Sequence, residues 1–392
     1  MAVLRQCARF AGLAAVLWMA ADGSHAATFD DLASEAAAAR RANRIPEAIE
    51  LYRQAVGMRG SWLEGWWFLG TLSYASYHFG DCETAFDEFV KLDDKRPLAW
   101  SLLGLCEFET GHYDPALGHL QRGLASGDLP PDVEPGVRFH YGLLLSRAGL
   151  FEQGKRQLER YAQGGAHEPL LIAALGLNAL HQRLLPKEVP PDRMDAVQQA
   201  GEAERLLILG RKAEGGAALQ ALVKQYPKLS GVHYLYGTYL ASSDTQASIA
   251  EFIAEFRLEL QTNPDDPDTN AMLALMLERT HDVSAALPFA RKAAAAKIPD
   301  ALGQYVYGEA LRESGDVQAA VPRLEEAVHM DSTVLLYHIA LATAYSQAGR
   351  AQDARRERLA SLDMAMAGQS PAGSPQTEVR ARAVGGSALQ NR

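Results

Sequence analysis

Stepping 34 residues from Ala36 leads to Gly70 and then to Gly104, and a second series runs from Ala274 through Gly308 to Ala342. Each landing is a small residue inside sequence that otherwise reads as helix. A fixed interval of this kind constrains the chain to a stack of helix–turn–helix modules, each burying its apolar seam against its neighbours. Length then counts modules, so the 392 residues need not fill two or three separate cores.

Inside a module the pattern is a small residue, a glycine seven positions on, and a small residue five further. Gly104, Gly111 and Ala116 show it, as do Gly142, Gly149 and Gly154, then Gly308, Gly315 and Ala320, and again Ala342, Gly349 and Ala354. The outer two positions fall where the helices of a module cross, and the middle glycine ends the first helix in a left-handed turn. Hydrophobic residues make up 48% of the chain but aromatics only 8%, an alanine- and leucine-rich balance suited to closely packed helices. No long run alternates apolar with polar residues, so little sheet is expected.

Trp100-x-x-Leu103-Gly104, followed by Tyr113 and Ala116, resembles the motif of the tetratricopeptide repeat family, and the resemblance extends over residues 28 to 361. Pro97 and Pro227 stand where that family often ends a module. The resemblance implies an all-α fold, a right-handed superhelical solenoid of antiparallel helix pairs, with a concave face that binds other proteins. Modules are expected to begin near Phe29, Leu63, Pro97, Pro135 and Pro169, then near Ala196, Ser230, Pro267, Ala301 and Leu335. Three irregularities interrupt them. Three extra residues between Gly70 and Gly80 predict a longer first helix in the second module. Leu129-Pro130-Pro131-Asp132 lengthens the link into the fourth. Prolines from Pro186 to Pro191 fall where a helix is due, leaving three helices in succession near 169–184, 192–209 and 212–226. The expected organisation is therefore an array over 27–184, a proline-rich break at 185–191, either hinge or rigid turn, a second array over 192–363, and a disordered tail at 364–392.

The first 26 residues read as a signal peptide. Arg5 and Arg9 precede an apolar stretch from Phe10 to Ala21, and Ser24-His25-Ala26 supplies small residues for cleavage. That stretch is too short for a stable bilayer span, and Cys7 lies before it, so it is not a lipoprotein cysteine. The expected location is periplasmic or secreted, with no membrane insertion after processing. The net charge of −10 becomes one unit more negative when Arg5, Arg9 and Asp22 leave with the leader. An acidic chain is repelled by nucleic acid phosphate, and nucleic acid is not an expected partner.

No motif for a phosphate loop, a zinc-binding His-Glu-x-x-His or a nucleophile elbow occurs, the histidines are dispersed over different modules, and no paired carboxylates suit acid–base work. The chain is expected to be non-enzymatic, without catalytic residues, cofactor or metal. Cys82 and Cys106, the two cysteines after the leader, sit on helices expected to be neighbours, either as a disulfide or as two buried thiols. The resemblance places Trp67, Leu105, Phe108, Phe139, Leu143, Tyr234 and Tyr305 on the inner wall as a partner-binding groove, together with Ser101, Glu309 and Arg312. No module supplies the lysine and asparagine with which part of the family grips a terminal carboxylate. Such a wall suits one or more proteins or peptide segments with apolar side chains of their own, unless neighbouring turns cover these residues and leave them only packing. The expected function is an exported scaffold for protein–protein interaction; the alternative is an accessory that presents a polysaccharide or glycan to a processing enzyme, which calls for a regular aromatic ladder.

Overall fold

The computed structural model describes residues 27–125, 127–163, 167–242, 248–297 and 299–367. The expected signal peptide and positions 368–392 of the expected tail lie outside them. Among the described residues the chain forms nineteen α-helices and no strand. It divides into two compact units, one ending at Thr110 and the other beginning at Gly111.

The first unit contains α1 (Phe29–Arg41), α2 (Ile45–Met58), α3 (Leu63–Ala75), α4 (Phe79–Leu92) and α5 (Pro97–Thr110). Connections of a few residues force consecutive helices to run antiparallel. Thr28 starts α1 through a reciprocal bond with Asp31, satisfying backbone donors that the first turn leaves open. Ala36 and Ala39 on α1 and Ala48 on α2 are wholly buried, so the pair meets through methyl groups. Tyr52, Phe86 and Phe89 fill the space between hairpins. Cys82 on α4 and Cys106 on α5 meet as a disulfide with Cα atoms 5.9 Å apart.

The second unit contains α6 (Tyr113–Ala125), α7 (Glu134–Ala148), α8 (Phe151–Gln163), α9 (Pro169–Ala179), α10 (Pro191–Ile208), α11 (Lys212–Gln225) and α12 (Val232–Ser242). It continues through α13 (Ile249–Thr262), α14 (Pro267–Arg279), α15 (Val283–Ala294), α16 (Ala301–Glu313), α17 (Val317–Met330), α18 (Leu335–Gln347) and α19 (Ala351–Ala367). The helices α7 and α8, α9 and α10, α12 and α13, and then each successive pair to α19 form hairpins, while α11 packs singly beside α10. The three helices in succession are therefore one hairpin with a long connection, followed by one odd helix. In that connection Pro186–Glu188 is a single 3-10 turn, Leu185 and Pro186 are buried, and the Glu188 carboxylate accepts from Leu185 N at 2.7 Å and from Arg147. α9 and α10 touch backbone to backbone: a Cβ on Gly176 would lie 2.0 Å from Val197 O, and one on Gly201 1.8 Å from Ile172 O.

Left-handed turns mark the first-helix ends as expected at Gly111 (φ 87°), Gly149 (φ 86°), Gly315 (φ 94°) and Gly349 (φ 76°). Asn43, Tyr77, His181 and His281 take the same conformation without being glycine. This corrects the reading of the second module. α3 is 13 residues long, like α1, because Tyr77 at φ 61° makes the turn and Gly80 lies inside α4. No residues are inserted there.

A second device repeats. Near the start of five helices a side-chain donor reaches the carbonyl six residues earlier. Trp66 Nε1 bonds Gly60 O at 2.7 Å and Trp100 Nε1 bonds Asp94 O at 2.8 Å. His233 Nε2 lies 3.0 Å from Pro227 O, Asn270 Nδ2 3.1 Å from Pro264 O and His338 Nε2 3.1 Å from Ser332 O. Each bond fixes the turn before a helix to that helix.

Candidate interaction surface

The expected groove residues are, with one exception, covered. Leu105 and Phe108 in the first unit and Phe139, Leu143, Tyr234 and Tyr305 in the second are all under a tenth exposed, Tyr305 at 2%. Phe139 packs on Tyr161 with ring centroids 5.2 Å apart, Tyr234 on His181 at 4.3 Å, and Tyr305 on Tyr337 at 5.0 Å. That burial favours packing over direct contact for these six. Ser101 is likewise buried, its hydroxyl donating to Pro97 O. Trp67 is half-buried: its ring lies 5.4 Å from Phe89 and 5.8 Å from Phe86, with the Arg96 guanidinium 5.0 Å from its centroid. It retains an accessible edge backed by a cation, an arrangement suited to an apolar or aromatic guest.

A charged wall lies on α14 and α16, where Glu309 and Arg312 were expected. Arg312 donates to both oxygens of Glu309, at 2.7 and 2.9 Å, and to Glu313 at 3.2 Å. One turn of helix thus carries a fixed, two-pronged ion pair. Glu278 joins it from the end of α14. Its Oε1 is buried without a hydrogen-bond partner, and burial, then the fields of Glu309 and Glu313, push its pKa well above the ordinary carboxylate range. Burial also raises Glu313 and, strongly, the Tyr305 phenol.

A further polar cluster was not legible in the sequence. Lys155 on α8 is paired with Glu204 on α10, and its Nζ lies 3.8 Å from Glu159. Burial by itself would lower the Lys155 pKa, but Glu204 and then Glu159 outweigh it and leave the ammonium stabilised. Asn178 at the end of α9 donates to Ser146 Oγ at 2.8 Å and to Phe151 O at 2.9 Å. His181 stacks on Phe151 at 4.3 Å, the ring planes 2° apart, and its Nδ1 lies 3.2 Å from Asp268. Held in ion pairs, Lys155 is a poor nucleophile and a good cross-brace. The cluster's members come from five helices and the turn at His181, and no spacing along the chain announces their meeting.

Helical hairpins recurring at 34 residues in the runs from Phe29 to Pro97 and from Pro267 to Leu335, with left-handed turns and turn-fixing donors in register, decide the architecture. The chain is a helical repeat protein of tetratricopeptide type. No family model matches its sequence. It is 29% identical over 121 residues to the probable biofilm formation methyltransferase WspC of Pseudomonas putida, a match covering 29% of this chain and 28% of that protein. The chain thus spans little more than a quarter of that relative's length. Among solved structures it is similar to MamA 41-end from Desulfovibrio magneticus RS-1, with 18% identity, TM-score 0.38, and coverage of 45% of this chain and 97% of that one. The APC/C hetero-tetramer Cut9-Hcn1 gives 11% identity, TM-score 0.39, and coverage of 87% and 88%. A tetratricopeptide repeat protein from Parabacteroides merdae gives 10% identity, TM-score 0.31, and coverage of 81% and 98%. The architecture stated here rests on the repeat's own geometry.

Proposed function

We propose that this repeat protein is an exported, non-catalytic adaptor that holds one or more proteins against its stacked helices. The observation that carries the reading is the repetition itself: the same turn and the same donor bond recur module after module. Within each unit, hairpins stacked in this way offer an extended surface, which suits an extended or helical protein segment better than a small substrate. Trp67 offers an aromatic edge, and the Glu309–Arg312 pair supplies charge held at low entropy cost. Recognition would be by shape and apolar contact, without cofactor. The groove aromatics placed by sequence are mostly packed away, so a stacking ladder for a glycan has no support from them.

Export is supported by the charged, apolar and small-residue order of positions 1–26 and by the pairing of Cys82 with Cys106, which suits an oxidising compartment. Residues shared with WspC cover too little of that protein to bring its methyl transfer here.

The test is affinity capture from the exported fraction with the tagged full-length protein, alongside Trp67→Ala and Arg312→Ala. A protein recovered in stoichiometric amount, and weakened about tenfold by either substitution with helicity unchanged, is the expected result. Recovery of glycan without protein would overturn the reading, as would a mature chain that retains residues 1–26 in the cytosol.

A further inference from the structure

Two of the turn-fixing donors are histidines, and both are held in the same unusual way. His233 Nδ1 lies 2.6 Å from Glu255 Oε2 while its Nε2 lies 3.0 Å from Pro227 O. His338 Nδ1 lies 2.7 Å from Glu357 Oε2 while its Nε2 lies 3.1 Å from Ser332 O. Both rings are buried. A backbone carbonyl only accepts, and so does a carboxylate, so each ring must donate from both nitrogens to make both bonds. A neutral imidazole has one N–H and forfeits one of them.

We propose that His233 is a pH-sensitive clasp, an imidazolium ring that ties the turn after α11 to the hairpin of α12 and α13 only while both of its nitrogens carry protons, within a bonding frame that His338 repeats. The surroundings of each ring are specific. His233 meets Glu255 and Glu259 on α13 and the Pro227 carbonyl in the turn after α11. His338 meets Glu357 on α19, whose other oxygen accepts from Arg356 at 3.1 Å, and the Ser332 carbonyl in the turn after α17. For His233 the hydrogen bond the ring donates to Glu255 raises its pKa against the opposing effect of burial. The sign follows: the stabilisation is complete below the unfolded imidazole range and is lost as pH rises through the folded value. Loss of the proton frees either the turn before the helix or the second helix of the hairpin.

The fold contains its own pH-insensitive version. In α16 the corresponding residue is Gln304, which donates Nε2 to Ala294 O at 3.0 Å and accepts from Arg323 at 3.4 Å. Gln304 precedes Arg323 by 19 residues, and His338 precedes Glu357 by the same 19. The pair H233Q with E255R transfers that arrangement to α12 and α13, where the two residues stand 22 apart.

Two measurements on the full chain test this. Nitrogen-15 spectra of the histidine rings at pH 7 should show both nitrogens of His233 protonated; a neutral ring there overturns the clasp. Hydrogen–deuterium exchange, corrected for intrinsic rate, should show α12–α13 losing protection about tenfold or more between pH 6 and pH 9, with the loss abolished in the variant carrying H233Q and E255R. Equal protection at both pH values, or the same loss in that variant, overturns the proposal. The spectra decide the matter even where the variant fails to fold.

Discussion

At Gly201 the distance to the neighbouring backbone leaves no room for a single methyl group, since a Cβ would stand 1.8 Å from Ile172 O. Gly176 is its counterpart across the helix crossing. Alanine at either position must push α9 and α10 apart, and the expected cost is about 3 kcal/mol or more, read as a lower urea midpoint. Tyr77 presents the opposite case. It is 80% exposed, yet holds a left-handed backbone that penalises any side chain. Tyr77→Gly should stabilise the protein by about 1 kcal/mol; a loss of stability would show that contact with Phe79, rather than strain, governs the position. Glu278 carries a pH signature. Because its pKa is raised in the fold, the native state binds its proton more tightly than the unfolded chain does, and stability falls as pH rises through that window. Glu278→Gln should therefore melt higher than wild type at pH 7 and show no advantage at pH 4. The sequence placed Glu309 and Arg312 together but gave no warning of Glu278, whose role depends on how deeply its carboxyl is covered. Burial is a property of neighbours brought in from other modules, and it is what removes Phe108 and Phe139 from the accessible wall.

Helices were largely legible, because glycine and proline punctuate them. Expected starts at Phe29, Leu63, Pro97, Pro169, Pro267, Ala301 and Leu335 coincide with the observed first residues of α1, α3, α5, α9, α14, α16 and α18. The failure at the second module has a definite cause. A register built on glycine passes over a left-handed tyrosine and settles on the next glycine, Gly80. The donor positions were a missed signal of the same kind: Trp66 and Trp100 stand 34 apart, as do Asn270, Gln304 and His338, but the residue types differ and only their shared N–H unites them. The disulfide belongs to this scale too, since it joins α4 to α5 across a separation of 24 residues. Thiol blocking before reduction should modify neither cysteine, and blocking after reduction should modify both. Replacing both by serine should cost about 3 kcal/mol by loop entropy. Two thiols free before reduction would contradict the bond.

Within each unit the helices form a serial stack in which each hairpin is held chiefly by the hairpins next to it along the chain. Arg53 on α2 reaches Asp81 on α4, and Arg350 reaches Glu325 on α17, within about one repeat in each case. The proposed adaptor function would follow from that seriality, because stacked hairpins leave surface for a long partner in each unit. The proline-rich connection at 185–191 fits the same scheme, as a loop within one hairpin whose buried Leu185 and anchored Glu188 leave α9 and α10 in contact. The most direct measurement is zero-length carboxyl–amine cross-linking of the folded full chain, read by mass spectrometry. Links concentrated at sequence separations of about one to two repeats, Lys155 with Glu204 among them, are the expected result. Links mostly joining residues more than about 150 positions apart, the pattern of a single globular core, would contradict it.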